Sequence, residues 1–160
     1  MGEGCNENLT PHAEFVAALE QIVRLLRCEG FPWMLIGGAA MAVHGVDDTA
    51  PADIDIVLSG SAAAHIAARH GWQNYADGGS GPLRSDYILR PDLGRVPVEL
   101  LGNFRIRDGD GWIHLALARA VTVSWCEQQV PVLPLNQLAQ LFRPIRREKD
   151  FRRAALVSGS

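Results

Sequence analysis

Three acidic residues stand where the surrounding sequence is otherwise apolar. Asp53 and Asp55 interrupt the run Asp53-Ile54-Asp55-Ile56-Val57-Leu58, and Glu99 interrupts Val98-Glu99-Leu100-Leu101. Aspartate is a poor strand former, and buried carboxylates are rare unless paired or bound to metal. Residues two apart on a strand project from one face. Asp53 and Asp55 therefore bring like charges together, which is costly without a cation between them. Carboxylate oxygens suit Mg²⁺, which leaves coordination positions for substrate phosphates. Two Mg²⁺ ions held by Asp53, Asp55 and Glu99 would stabilise the attacking and leaving oxygens of an in-line phosphoryl displacement. The plainer alternative for the aspartates is a strand end reaching solvent or a nearby arginine. For Glu99 it is an ordinary ion pair with Arg84 or Arg95.

The complementary half is Gly37-Gly38, which follows the apolar run Trp33-Met34-Leu35-Ile36 and precedes a segment rich in Ala and Met. Glycines between a strand and a helix let the backbone approach an anion, and the first N–H groups of the helix favour phosphate. A tight turn would use the same glycines. The Asp-x-Asp that follows, in strand–turn–helix–strand order, favours the phosphate reading.

The elements that must hold these residues follow from periodicity and punctuation. Thr10-Pro11 reads as a cap and first residue of a helix. Phe15, Val16, Leu19, Ile22, Val23 and Leu26 give that helix one apolar face, and Gly30 and Pro32 close it. Residues 33–36 read as a buried strand, 38–44 as a short helix ended by Gly45, and 53–59 as a second strand. Ser61 is expected to cap a helix reaching Gly71. A short strand is expected at 72–75, and a pair of strands at 84–90 and 96–101 around Pro91-Asp92-Leu93-Gly94-Arg95. Residues 103–111 read as a loop, and 112–120 lean to helix. Strands are expected at 121–125 and 130–133, a helix capped by Asn136, and a last helix over 146–157. His44 and the four tryptophans read as structural. Residues 1–9 are expected to be loosely attached, and 10–160 to form a single domain. The fold class is mixed α/β (α+β), a twisted mixed sheet flanked by helices.

Composition narrows the setting. The 160 residues are 48% hydrophobic and 21% charged, as in a globular domain. No stretch is long and apolar enough for a membrane span, and no membrane partner is expected. The three scattered cysteines, Cys5, Cys28 and Cys126, argue against a disulfide framework and suit a cytoplasmic location. The net charge is −3, yet residues 143–153 carry six basic side chains against two acidic ones. That tail is a positive patch able to meet phosphate, or a solvated helix face.

These residues together carry a resemblance. Ile36-Gly37-Gly38-Ala39-Ala40-Met41-Ala42-Val43-His44-Gly45, followed by Asp53-Ile54-Asp55-Ile56, resembles the DNA polymerase β-like nucleotidyltransferase superfamily. Within it, the similarity is to small bacterial proteins of the toxin-type (AbiEii-like) and antibiotic-modifying branches. Glu99 stands at the third acidic position, where Asp is commoner, and Arg147-Glu148-Lys149-Asp150 is similar to an Arg-x-Lys-Asp element near the carboxyl end of such proteins.

The resemblance implies a nucleotidyltransferase fold and Mg²⁺-dependent transfer of a nucleoside monophosphate from an NTP, ATP foremost, to a hydroxyl acceptor, with pyrophosphate released. Asp53, Asp55 and Glu99 would be the catalytic and metal-binding residues, and Gly37, Gly38 and Lys149 would bind nucleotide. Relatives often carry an arginine just before the Asp-x-Asp; here Thr49-Ala50-Pro51-Ala52 stands instead, which would either weaken triphosphate binding or shift it to a residue such as Arg84 or Lys149. The short chain favours a small acceptor over RNA. Two other readings remain open: a non-catalytic binding protein of the same fold, paired with a protein partner as in a toxin–antitoxin system, and another Mg²⁺-dependent phosphoryl enzyme.

Overall fold

A computed structural model describes residues 11–46, 50–78 and 81–142. Its first element, α1 (Pro11–Glu29), buries the six apolar positions of the expected face. Phe15 meets Trp125 edge-on, with ring centroids 6.3 Å apart, and Phe31, just beyond the helix, meets His65 at 5.3 Å. Gly30 ends the helix with φ +81°, a backbone conformation that glycine adopts at little cost.

The next elements are β1 (Trp33–Ile36), α2 (Gly37–His44), β2 (Ile54–Leu58) and α3 (Gly60–His70). Every residue of β1 is buried, as its unbroken apolar run implies. Gly45 closes α2 in the left-handed conformation. His44 has the expected structural role: its Nε2 lies 2.9 Å from the Leu133 carbonyl, tying α2 to a distant strand end. The cap of α3 is Ser59, not Ser61. Ser59 Oγ accepts from the Ala62 N–H at 3.1 Å, because Ser59 is the extended residue just before the first turn.

Beyond α3 the chain forms β3 (Leu83–Arg84), β4 (Tyr87–Leu89), β5 (Val98–Gly102), β6 (Arg105–Asp108), β7 (Gly111–His114), β8 (Val121–Trp125), β9 (Gln128–Val132) and α4 (Leu135–Phe142). Six strands make a sheet in the order β4-β5-β2-β1-β9-β8, and β3-β6-β7 make a smaller one. The large sheet is mixed. β1 runs antiparallel to β2 and parallel to β9, while β2 runs parallel to β5. A mixed sheet flanked by helices is the fold class expected.

Several expectations are corrected. Residues 84–90 are not one strand: the chain leaves the small sheet after Arg84 and enters the large one at Tyr87. Residues 103–111 are not a loop, since Arg105–Asp108 pairs with Gly111–His114. The helix favoured for 112–120 is instead strand β7 followed by a 3₁₀ turn at Leu117–Arg119. Residues 72–75 form no strand; the Tyr75 N–H donates to the Ile88 carbonyl, and Asn74 Oδ1 accepts from the Ile88 N–H. Asn136 is not the cap of α4, because the helix starts at Leu135 and the carbonyl of Pro134, two residues before Asn136, accepts from the Gln137 and Leu138 N–H groups. Nor are the cysteines all free: Cys28 is a free thiol, but Cys126 is disulfide-bonded. Linear spacing says nothing of which side chains meet in space. The cap at Thr10, the helix at 146–157 and the basic tail lie outside the described residues. No helix among the described residues is long and apolar enough to cross a membrane.

Candidate active site

The sheet order places two of the three acids on neighbouring central strands. β2 and β5 run parallel with Asp55 opposite Glu99, so both side chains leave one face with strand axes about 4.8 Å apart. Their flanks are apolar and buried: Ile54 and Ile56 around Asp55, Val98 and Leu100 around Glu99. Packing of those four residues fixes the register, and a one-residue slip would turn the carboxylates to the other face. Asp53 precedes β2 and is exposed. The bond from the Ile54 N–H to the Pro97 carbonyl, 2.9 Å, fastens the chain beside it to the entry of β5.

On the other side of Asp55 lies β1. Ile36 is its register partner, and Gly37 begins α2 with φ +68°. A Cβ at Gly37 would lie 3.6 Å from Asp55 Oδ2, an ordinary contact. The requirement for glycine therefore comes from the backbone angle rather than from lack of space. Asp55 consequently sits beside the first turn of α2, where the helix dipole favours negative charge. Gly37 is half-buried and Gly38 is buried, so Gly37 is the more accessible of the pair.

Glu99 has a partner that sequence reasoning missed. Arg90 Nε donates to Glu99 Oε2 at 2.9 Å, and the Arg90 guanidinium lies 4.6 Å from the centroid of the Tyr75 ring. Arg90 directly follows β4, whose Leu89 faces Leu100 of β5. Assigning the hairpin register was the signal that would have placed Arg90 opposite Glu99. The two arginines considered from sequence lie elsewhere. Arg84 stands 4.8 Å over the Trp112 ring in the small sheet, and Arg95 lies 3.5 Å from Glu14. Lys149 lies outside the described residues.

Asp53, Asp55 and Glu99 supply the oxygen donors that Mg²⁺ prefers. Among the described residues, no three His, Cys, Asp or Glu side chains converge closely enough to hold a metal ion. The oxygen chemistry of the two aspartates suits the ion, and a metal on Glu99 would share its carboxylate with Arg90, which holds Oε2, or displace it. A cavity of about 340 Å³ lies apart from these acids, between the small sheet and α4, lined by Ile106, Ile113, His114, Arg119, Gln137 and Leu141 among others.

Neither a family model nor a curated protein sequence matches the chain. Solved structures do. A candidate nucleotidyltransferase from Thermotoga maritima superposes with TM-score 0.64 at 21% identity, covering 88% of this chain and 95% of the other. The lincosamide antibiotic adenylyltransferase LnuA, with lincomycin bound, gives TM-score 0.62 at 12% identity, with 88% and 94% coverage. The antibiotic-resistance factor ANT(2'')-Ia, in solution, gives 0.54 at 14%, with 89% and 81%. The chain has the nucleotidyltransferase fold.

Proposed function

We propose that this protein is a metal-dependent nucleotidyltransferase that moves a nucleoside monophosphate from an NTP to a hydroxyl group of a small molecule. The observation carrying this reading is the register of Asp55 with Glu99, next to the turn at Gly37, within a nucleotidyltransferase fold. Asp53 and Asp55, with Glu99, would hold Mg²⁺, two ions in all, and the metal would neutralise the triphosphate charge. The Gly37 turn and the start of α2 present backbone dipoles to phosphate, Lys149 adds a cation, and ATP is the first nucleotide to test. The acceptor hydroxyl oxygen attacks the α-phosphorus, the bond to the bridging oxygen breaks, and pyrophosphate leaves with its electron pair. Glu99 receives the hydroxyl proton when it is not a metal ligand. Positioning and charge stabilisation provide most of the rate. A small acceptor is supported by the likeness to LnuA, whose structure holds lincomycin.

Calorimetric titration with Mg²⁺ and each NTP tests the reading. Wild type should bind and Asp53→Ala/Asp55→Ala should not; equal binding by both would sink it. Release of pyrophosphate in the presence of acceptors then reports turnover.

A second reading is favoured by the ion pair on Glu99: a binding module that keeps the fold without turnover, as in the toxin–antitoxin branch with a protein partner. It predicts nucleotide binding with no pyrophosphate release for any acceptor.

A further inference from the structure

The arginine expected ahead of Asp53 is absent, and among the described residues one guanidinium stands on the carboxylate row. Asp55 of β2 and Glu99 of β5 are register partners, and Arg90 directly follows Leu89 of β4, the partner of Leu100, which sets all three near one level of the sheet. The backbone of Arg90 is therefore about 10 Å from that of Asp55, two strand spacings. That is within reach of a long arginine side chain and a triphosphate extending from the metal-binding aspartates. The other arginines of the sheet edge and the small sheet have partners elsewhere: Arg105 with Asp86, Arg95 with Glu14, and Arg84 and Arg107 over Trp112.

The local construction suits a cation that must be presented and also released. Arg90 reaches Glu99 through Nε, and its terminal nitrogens make no hydrogen bond to a described residue. That leaves the end of the fork, the part that matches phosphate geometry. The Arg90 side chain is 50% exposed and that of Glu99 30%, so the pair is held weakly; ion pairs of this kind are worth about 1 kcal/mol or less. Tyr75 supplies the platform under the guanidinium. Its segment is fastened to β4 by the Tyr75 N–H to the Ile88 carbonyl, 2.9 Å, and by Asn74, whose Oδ1 accepts from the Ile88 and Ala76 N–H groups while its Nδ2 donates to the Asp86 carbonyl. The contact with the Tyr75 ring gives the guanidinium a second support that does not depend on Glu99.

Resting on the nucleotidyltransferase reading, we infer that Arg90 is the triphosphate-binding cation of the site, exchanging between Glu99 and the phosphates. Without ligand it occupies the third carboxylate; when a divalent cation takes Glu99, the guanidinium transfers to the β- and γ-phosphate oxygens. No covalent bond changes in this exchange.

The exchange predicts opposite effects of one substitution. Arg90→Ala removes the competitor for Glu99, so Mn²⁺ binding without nucleotide, measured by electron paramagnetic resonance, should tighten by about threefold to fivefold. The same variant loses the charge-assisted hydrogen bonds to phosphate, so Mg–ATP binding, measured by calorimetry, should weaken by about 10- to 100-fold. Arg90→Lys keeps the charge without the fork and should fall between wild type and Arg90→Ala in both measurements. A residue serving only to brace the loop would move both affinities the same way. Either an unchanged or weaker Mn²⁺ affinity in Arg90→Ala, or a Mg–ATP affinity within twofold of wild type, overturns the inference. Failure of the nucleotidyltransferase reading shows differently, as Mg–ATP binding that survives Asp53→Ala/Asp55→Ala.

Discussion

Two carboxylate clusters in this protein use similar groups to opposite ends. Glu29 closes α1 and meets the last residues of α3: His70 Nε2 lies 2.8 Å and Arg69 Nε 3.7 Å from Glu29 Oε2, and the Glu29 side chain is only 5% exposed. His70 in turn stacks on Trp72 with ring centroids 4.4 Å apart. This acid is enclosed by basic groups and aromatic surface, and it joins two helices. Asp55 and Glu99 are half-buried on adjacent strands in register with one another, and Glu99 takes its base, Arg90, from beside the same sheet rather than from across a helix boundary. In the first cluster burial and charge pairing act together. In the second, packing of the flanking apolar residues holds two like charges in register, an arrangement that suits binding a cation better than bracing the fold.

The largest expected effect tests that contrast on the strand side. Asp53→Ala/Asp55→Ala should weaken Mg–NTP binding by about 100-fold or more, beyond the 10- to 100-fold typical of losing a group that merely orients a metal ligand. Its stability should fall by only about 1 kcal/mol, the ordinary size of a substitution effect, since Asp53 is exposed and Asp55 is only half-buried. A large loss of stability would mean that these acids brace the fold as Glu29 does.

Two glycines divide along the same line. A Cβ on Gly102 would lie 2.6 Å from Ala63 Cβ and 3.0 Å from Tyr87 Cβ, so Gly102 lets α3 lie closely on β5. Gly102→Ala should destabilise the protein by about 1–3 kcal/mol, the cost of overpacking, measured by denaturant unfolding. Gly37→Ala meets no such obstruction. It carries a backbone cost of about 1–2 kcal/mol from its positive φ, and its added methyl faces Asp55 Oδ2. Nucleotide binding should therefore respond to Gly37→Ala more than to Gly102→Ala.

The legibility of the molecule follows the same physics. The first helix, β1, α2 and β2 could be read in sequence because each has an apolar pattern ended by Gly, Pro or a polar residue. The small sheet could not. In Arg105-Ile106-Arg107-Asp108, Ile106 is the one apolar side chain, and the strand's other face carries arginines gathered around Trp112. Alternation that short, with a cationic face, reads as loop. The strands β8 and β9 were legible, but the turn between them was not, because it places Cys126 and Glu127 at φ 48° and 64°, where Asn-Gly would be the usual signal. For the site, Asp55 and Glu99 were legible as acids in apolar runs. Arg90 was not, because its importance depends on strand register and not on its neighbours in the chain.

A smaller effect belongs to Glu29. Glu29→Ala removes the partner of His70 and Arg69, but both bases are exposed enough to regain water. The cost should be about 1–2 kcal/mol rather than that of a stranded buried charge. Mg–ATP affinity should remain within about twofold of wild type, as expected for a substitution that shares no partner with the strand acids. A tenfold loss would show that the helix junction and the strand acids form one coupled site.

The smallest effect concerns an acid of the bracing kind that is largely open to solvent. Asp86 accepts from Asn103 Nδ2 at 2.7 Å and from Arg105 Nη1 at 3.1 Å. The Asn103 hydrogen bond is the largest influence, and with Arg105 and the nearby His114 it outweighs partial desolvation, holding the carboxyl below its ordinary range. A carboxyl depressed in the folded state contributes stability that is present above its unfolded value, about pH 4, and is lost as pH falls through the lower folded value. Thermal melts of wild type and Asp86→Asn between pH 7 and pH 3 isolate this contribution, because other acids titrate in both proteins. Wild type should be slightly the more stable at pH 7, with the gap closing below about pH 4. The gap should be small, since solvent screens a half-exposed ion pair. A gap that widens on acidification would contradict the assigned direction and detach Asp86 from the group of bracing acids.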